Sequence, residues 1–152
     1  MSWHQPSRDL RVACVSGFPF STAIKVRFAE TDAQGIAHHA SFLVWLEVAR
    51  VEYLERYAGG YQGIRDRGLE ALTTEVNIRY HRAAVFDDRL TVEARCVDMR
   101  GARFRYEYRV TRAGELVAEA WTSHAVVDAE TYRPTRVPDW LAEAMATAET
   151  KA

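Results

Sequence analysis

Cysteine and lysine are nearly missing from this chain, and each shortage narrows the reading. Cysteine occurs only as Cys14 and Cys96 in 152 residues. Two cysteines outside any CxxC pair are too few for a disulfide scaffold, and a reducing compartment is the simplest setting. Lysine occurs only at Lys25 and Lys151, so nearly all positive charge is arginine. Arginine suits bidentate phosphate contacts, although genome composition alone produces the same bias. No run nears the roughly 18 apolar residues of a membrane span. The start, MSWHQPSRDLR, lacks the apolar core of a secretory signal. A cytoplasmic protein without a membrane span is therefore expected. Net charge is −1, from 20 Lys+Arg against 21 Asp+Glu. That balance argues against nucleic acid as the main partner. No internal repeat, low-complexity tract or linker is present, and the length fits one domain.

Several motifs are also missing. No GxGxxG or GxxxxGK element opens a helix, and no GxSxG elbow marks a nucleophilic serine. The aromatic and basic run 103–109 alternates in charge sign without an RNP-like sequence, which leaves RNA binding poorly supported.

What is present has a clear order. Residues 1–22, broken by Pro6, Gly17 and Pro19, read as an irregular extension with VACV as a short strand candidate. Ala23 to Ala29 alternates, with Ile24, Val26 and Phe28 on one face. ETDAQG reads as a turn. Phe42, Trp45, Leu46, Ala49, Tyr53, Leu54 and Tyr57 then recur at helical spacing, with Ser41 or a residue just before it as cap and Gly59-Gly60 as the stop. A short helical piece covers about Tyr61 to Arg67. From Leu69 the period is two. Strands are expected over Leu72 to His81, around Leu90 to Cys96, around Phe104 to Val110 and from Val117 to Asp128. A short helix around Trp140, Leu141 and Met145 closes the chain. One strand, a long helix and then four strands predict an α+β domain over residues 23–148. In it a five-stranded, mostly antiparallel sheet wraps one central helix. The aromatics Tyr106 and Tyr108, with charges on the opposite face, hint at contacts between sheets in an oligomer.

The densest chemistry lies between Arg27 and Arg50. Asp32 is either an Asx-turn residue or a carboxylate held near a helix start. In the second role it suits general-base or nucleophilic work, beside N–H groups that stabilise an oxyanion. His38 and His39 are adjacent and are expected to diverge, with one of them facing a pocket. Glu47 is a second carboxylate toward the cleft or, with Arg50, part of a surface pair. Asp32, His38, His39, His81 and His124 match no compact ligand spacing, so no metal is expected.

RFAETDAQGIAHHASFLVWLEVAR closely resembles the N-terminal signature of hotdog-fold acyl-CoA thioesterases of the 4-hydroxybenzoyl-CoA thioesterase-like type. The matching residues are Arg27, Thr31-Asp32, Gly35, His39, Phe42, Trp45-Leu46-Glu47 and Ala49-Arg50. LTTEVNIRYHRAAVFDDRLTVEARC, with Arg82, Ala84 and Asp88, is similar to the family's second half. The likeness spans roughly Thr22 to Pro138. It implies a hotdog fold and a homodimer or homotetramer with active sites at the dimer interface. It further implies hydrolysis of acyl-CoA to a carboxylic acid and coenzyme A without a cofactor. Asp32 takes the place of the family's general base or nucleophile, and the backbone N–H of His39 that of the carbonyl polariser. Gly35 would allow a close approach. His38, Ser41 and Phe42 replace residues common in the family (Tyr, Asn and Tyr), which leaves the acyl preference open. Arg79, Arg100, Arg103 and Arg112 are candidate contacts for coenzyme A phosphates or plain solvated arginines. Other readings are an acyl-carrier-protein thioester as substrate, a 2-enoyl-CoA hydratase, or a non-catalytic acyl-CoA-binding protein. The hydratase pattern D-x-N-P-x-H is absent.

Overall fold

The computed structural model describes residues 17–150. VACV and Cys14 lie outside them. Nine elements follow in order. They are β1 (Phe20–Lys25), a 3-10 turn (Phe28–Glu30), α1 (Ser41–Tyr57), α2 (Gly60–Arg65), β2 (Leu69–Tyr80), β3 (Arg89–Arg100), β4 (Arg103–Arg112), β5 (Glu115–Asp128) and α3 (Asp139–Glu149). The strands form one antiparallel sheet in the order β1-β3-β4-β5-β2. With α1 across its inner face, this is the expected hotdog arrangement.

The helix stripe read from the sequence is the core. Phe42, Trp45, Leu46, Ala49, Tyr53 and Leu54 are all buried. They meet Leu90, Val92, Ala94 and Cys96 of β3 and Phe104, Tyr106, Tyr108 and Val110 of β4. Tyr53 packs edge-on to Phe20 and Tyr106. Gly59 and Gly60 both have positive φ, which ends α1 where a side chain would be strained.

Two local expectations change. β1 begins at Phe20, inside the stretch expected to be irregular, and ends at Lys25. Val26 still bonds to the β2–β3 turn through Asp87 and Asp88 and is fully buried. The 3-10 turn then rotates Phe28 outward, to 76% exposure, instead of onto the inner face. Of the two cap candidates, the residue just before Ser41 holds the position: it is Ala40, with no side-chain bond, and the Ser41 hydroxyl donates to the Glu30 carbonyl at 3.0 Å.

The outer sheet face carries charges that neutralise each other across strands. Arg95 donates to Glu107 at 2.8 Å and Arg109 to Glu93 at 2.6 Å. Phe18 covers both arginines. α1 lies over β1 and β3. It leaves the inner face of β2 open, with Val76 and Tyr80 exposed.

Candidate active site

The site begins with the loop between the 3-10 turn and α1. Thr31 bridges to Ala37, and the Asp32 N–H donates to the Ile36 carbonyl at 2.9 Å. Gly35 donates back to the Asp32 carbonyl at 2.9 Å. Its φ of +79° is the reason glycine stands there, because an added Cβ would meet no heavy atom within 4 Å. One carboxylate oxygen of Asp32 accepts the Gln34 N–H at 2.8 Å, an Asx turn. Asp32 is half-buried, and its second oxygen has no partner among the described residues.

The far side of the loop is tied to the sheet. Ala37 donates to the Ala84 carbonyl in the β2–β3 turn at 2.7 Å. The His38 N–H is used by the Glu30 carbonyl at 2.8 Å, and His38 Nδ1 accepts the Ala40 N–H at 3.1 Å. The next N–H, that of His39, has no partner among the described residues. The two rings stack at 4.1 Å instead of diverging, and only His39 lines the cavity.

That cavity measures about 300 Å³. Asp32, His39 and Phe42 line it together with Tyr80, His81 and Ala84. The Tyr80 hydroxyl donates to the His39 carbonyl at 2.8 Å, and Tyr80 packs edge-on to Phe42. His81 contacts buried Glu119 at 3.2 Å. In the sequence Tyr80 reads only as a strand residue, and His81 as a strand residue and one of the histidines without metal-ligand spacing. Their position just before the Arg82-x-Ala84 turn was the one available signal.

Glu30 was missed altogether. It is buried, and it accepts the Arg27 N–H at 2.8 Å and the Trp45 indole N–H at 2.7 Å. Burial alone would push its carboxyl up. The hydrogen bonds and charge of Arg27, with the Trp45 bond, hold it below the ordinary glutamate value instead. Its carbonyl meanwhile holds His38 and Ser41. The only sequence signal was its place beside Thr31-Asp32.

The other sequence candidates separate. Glu47 is exposed and makes no ion pair with Arg50 among the described residues. Arg50 turns inward and donates to the Tyr108 hydroxyl at 3.2 Å. Arg112 is engaged by Asp88 at 2.6 Å and by the Ala83 carbonyl at 3.1 Å. Arg100 and Arg103 line a polar cavity of about 610 Å³ at the β3–β4 turn. Arg79 is half-buried on β2, in register with Glu119. Among the described residues no three His, Cys, Asp or Glu side chains cluster to hold a metal ion. No described helix is long and apolar enough to cross a membrane.

Comparison with known proteins supplies the family context. The sequence model of the thioesterase-like superfamily matches residues 26–145. A Bacillus subtilis protein with a provisional acyl-CoA thioesterase assignment is 34% identical over 122 residues, 77% of this chain and 88% of its own. An acyl-CoA thioesterase of Haemophilus influenzae is 32% identical over 120 residues, 78% of this chain and 88% of its own. The crystal structure of a DHNA-CoA thioesterase from Staphylococcus aureus superposes with a TM-score of 0.79 at 27% identity. That superposition covers 86% of this chain and 90% of the other.

Proposed function

This chain belongs to the thioesterase-like superfamily and is a hotdog-fold thioesterase, and from that premise we propose that it hydrolyses acyl-CoA thioesters with Asp32 as its working carboxylate. The observation that carries the reading is the pairing on one cavity wall of Asp32 with the His39 N–H, which has no partner among the described residues. Attack on a thioester carbonyl moves negative charge onto its oxygen. A fixed N–H at a helix start stabilises that charge with little reorganisation.

In this reading Asp32 takes a proton from the attacking water, or attacks the carbonyl itself and is later released by water. The His39 N–H receives the carbonyl oxygen. Collapse of the tetrahedral intermediate breaks the C–S bond and expels the coenzyme A thiolate, which takes up a proton. The acid leaves as its carboxylate. Gln34 and Gly35 hold the Asp32 loop, and Tyr80 fixes His39 through its carbonyl.

The proposed assembly is a homodimer through β2. Supporting this are the 12-residue length of that edge strand and its exposed Leu72, Val76 and Tyr80. An edge of that length with apolar side chains invites pairing with a second copy. Among the four arginines, Arg100 and Arg103 are the proposed phosphate contacts, since they share an open polar cavity. Arg112 is already held by the turn it braces.

The test is thiol release from a panel of aromatic and short-to-long aliphatic acyl-CoAs and acyl-carrier-protein thioesters, with crotonyl-CoA hydration assayed in parallel. Release of thiol from any member supports hydrolysis. Hydration without thiol release, or tight binding without turnover, overturns it.

A further inference from the structure

Two rigid peptide planes meet at His39, and each is tied down by hydrogen bonds. The first carries the His38 carbonyl and the His39 N–H. Its carbonyl accepts the Ser41 N–H at 2.9 Å. The second carries the His39 carbonyl and the Ala40 N–H, and it is held at both ends. The Tyr80 hydroxyl donates to its carbonyl at 2.8 Å, and His38 Nδ1 accepts its N–H at 3.1 Å. The bond to Nδ1 runs from residue i to residue i+2, as an Asx turn does. It supplies what the cap position lacks, since Ala40 brings no side-chain acceptor to the start of α1. The His38 ring also stacks on that of His39, with centroids 4.1 Å apart.

We propose that the His38 imidazole is a positioning residue for the hydrolysis. In its neutral form it locks the His39–Ala40 peptide and so aims the His39 N–H, and a proton on Nδ1 releases that peptide and lowers turnover. The inference rests on the reading in which the His39 N–H receives the thioester oxygen. Nδ1 accepts a hydrogen bond only while it is bare, so the neutral ring carries its proton on Nε2. The ring is exposed, and protons reach it directly. Protonation turns the acceptor into a donor that faces the Ala40 N–H. It also sets a positive charge at the positive end of the helix. The titratable neighbours are His39, stacked on the ring, and Asp32, Tyr80 and His81 on the cavity that His39 lines. The Glu30 carboxylate is turned away, to Arg27 and Trp45. A tyrosine, common at this position in the family, has a ring C–H where Nδ1 stands, so it lacks this acceptor.

The test follows thiol release from acyl-CoA by the wild type, His38→Ala and His38→Asn between pH 5.5 and 8, with folding checked by circular dichroism. His38→Ala removes the acceptor. Its kcat is expected to fall about tenfold, as a slight misplacement of a reacting group does, with KM within about twofold of the wild type. His38→Asn offers an oxygen that makes the same i to i+2 bond and does not titrate. It is expected to recover kcat to within about threefold of the wild type. It should also flatten the fall in kcat that the wild type shows from pH 7.5 to 5.5. A long-range proton–nitrogen spectrum of the wild type, with the His38 ring identified by its loss in His38→Asn, should show the Nε2–H tautomer at pH 7.5. Wild-type kcat in His38→Ala, a His38→Asn no faster than His38→Ala, a pH profile shared by His38→Asn and the wild type, or the Nδ1–H tautomer overturns the inference. If His38→Ala does not fold, the profile of His38→Asn and the tautomer decide. A wild type that binds acyl-CoA and releases no thiol sinks the hydrolase reading instead, and the tautomer still shows whether His38 caps Ala40.

Discussion

The indole N–H of Trp45 donates to the buried carboxylate of Glu30 at 2.7 Å, joining the second turn of α1 to the segment just before Asp32. The same glutamate fixes the helix start through its carbonyl, which accepts from His38 N–H and Ser41 Oγ. One residue thus sets the distance between the Asp32 loop and the His39 N–H. Trp45→Phe keeps the ring but removes the donor. It is expected to cost about 1–3 kcal/mol, the usual loss when a buried charged acceptor loses a partner. Urea denaturation would show the loss as a lower midpoint with unchanged slope. Turnover should also fall, and a variant with wild-type stability and turnover would remove Glu30 from this role.

Asp32→Asn keeps the shape of the Asx turn, because the amide oxygen still accepts the Gln34 N–H. It removes the basic oxygen. A fall of at least about tenfold in kcat is expected, since a positioned general base contributes about a hundredfold or more. The melting temperature should stay near that of the wild type. Near-normal turnover by a folded variant would falsify the role of Asp32.

His124 gives the fold a pH dependence of defined sign. Burial, and secondarily the nearby Arg50 charge, push its imidazole down to about 3. The unfolded chain then binds a proton below about pH 6.5 that the folded chain refuses. Its neutral form is therefore compatible with the fold above pH 6.5, and stability is lost as pH falls from there toward 3. The slope from this group approaches about 1.4 kcal/mol per pH unit. Denaturation curves at pH 7.5, 6.5 and 5.5 should converge on a flatter profile in His124→Gln. An unchanged slope would show that another group carries it.

The inward faces of the helix and strands were readable because burial imposes a period of 3.6 or 2. Phe42 to Leu54 and Leu90 to Cys96 fall where those periods put them. Asp32, Gly35 and His39 were legible as a pattern within one loop. Glu30, Tyr80 and His81 were not, because each acts through a contact distant in sequence. The end of β1 was misjudged for a related reason. Alternation continues through Phe28, yet the Arg27–Glu30 capping box turns the chain there. The arginines at 100, 103 and 112 look alike in sequence. Only the fold shows that Arg112 is held by Asp88 and Ala83.

That difference predicts a split between the arginines. Arg112→Ala removes the bond to Asp88, whose carboxyl is lowered by the Val85 N–H and Arg112 against the upward push of burial. Loss of that brace should lower the melting temperature. Arg103→Ala lies in the open cavity and should leave the melting temperature unchanged. Its KM for acyl-CoA should rise severalfold, with a weaker dependence on ionic strength. Comparable thermal shifts in the two variants, or an unmoved KM for Arg103→Ala, would count against the assignment.

Val76→Lys tests the proposed pairing. Val76 is 42% exposed on the edge strand, where an apolar side chain has no cover among the described residues. A lysine there remains solvated in a single chain, so folding should survive. Across a two-fold axis the same charge meets its copy or a buried apolar surface, and edge lysines are the usual block to strand addition. The wild type should sediment at twice the chain mass or more, and the variant at the chain mass. If β2 of the partner completes the wall beside Tyr80, thiol release should fall with the mass, and raising the protein concentration should restore part of it. Thr147→Lys, on the exposed side of α3, serves as control for an added charge. A Val76→Lys protein that stays assembled and fully active would place the interface elsewhere, while a monomer with full activity would make each Asp32 cavity sufficient alone.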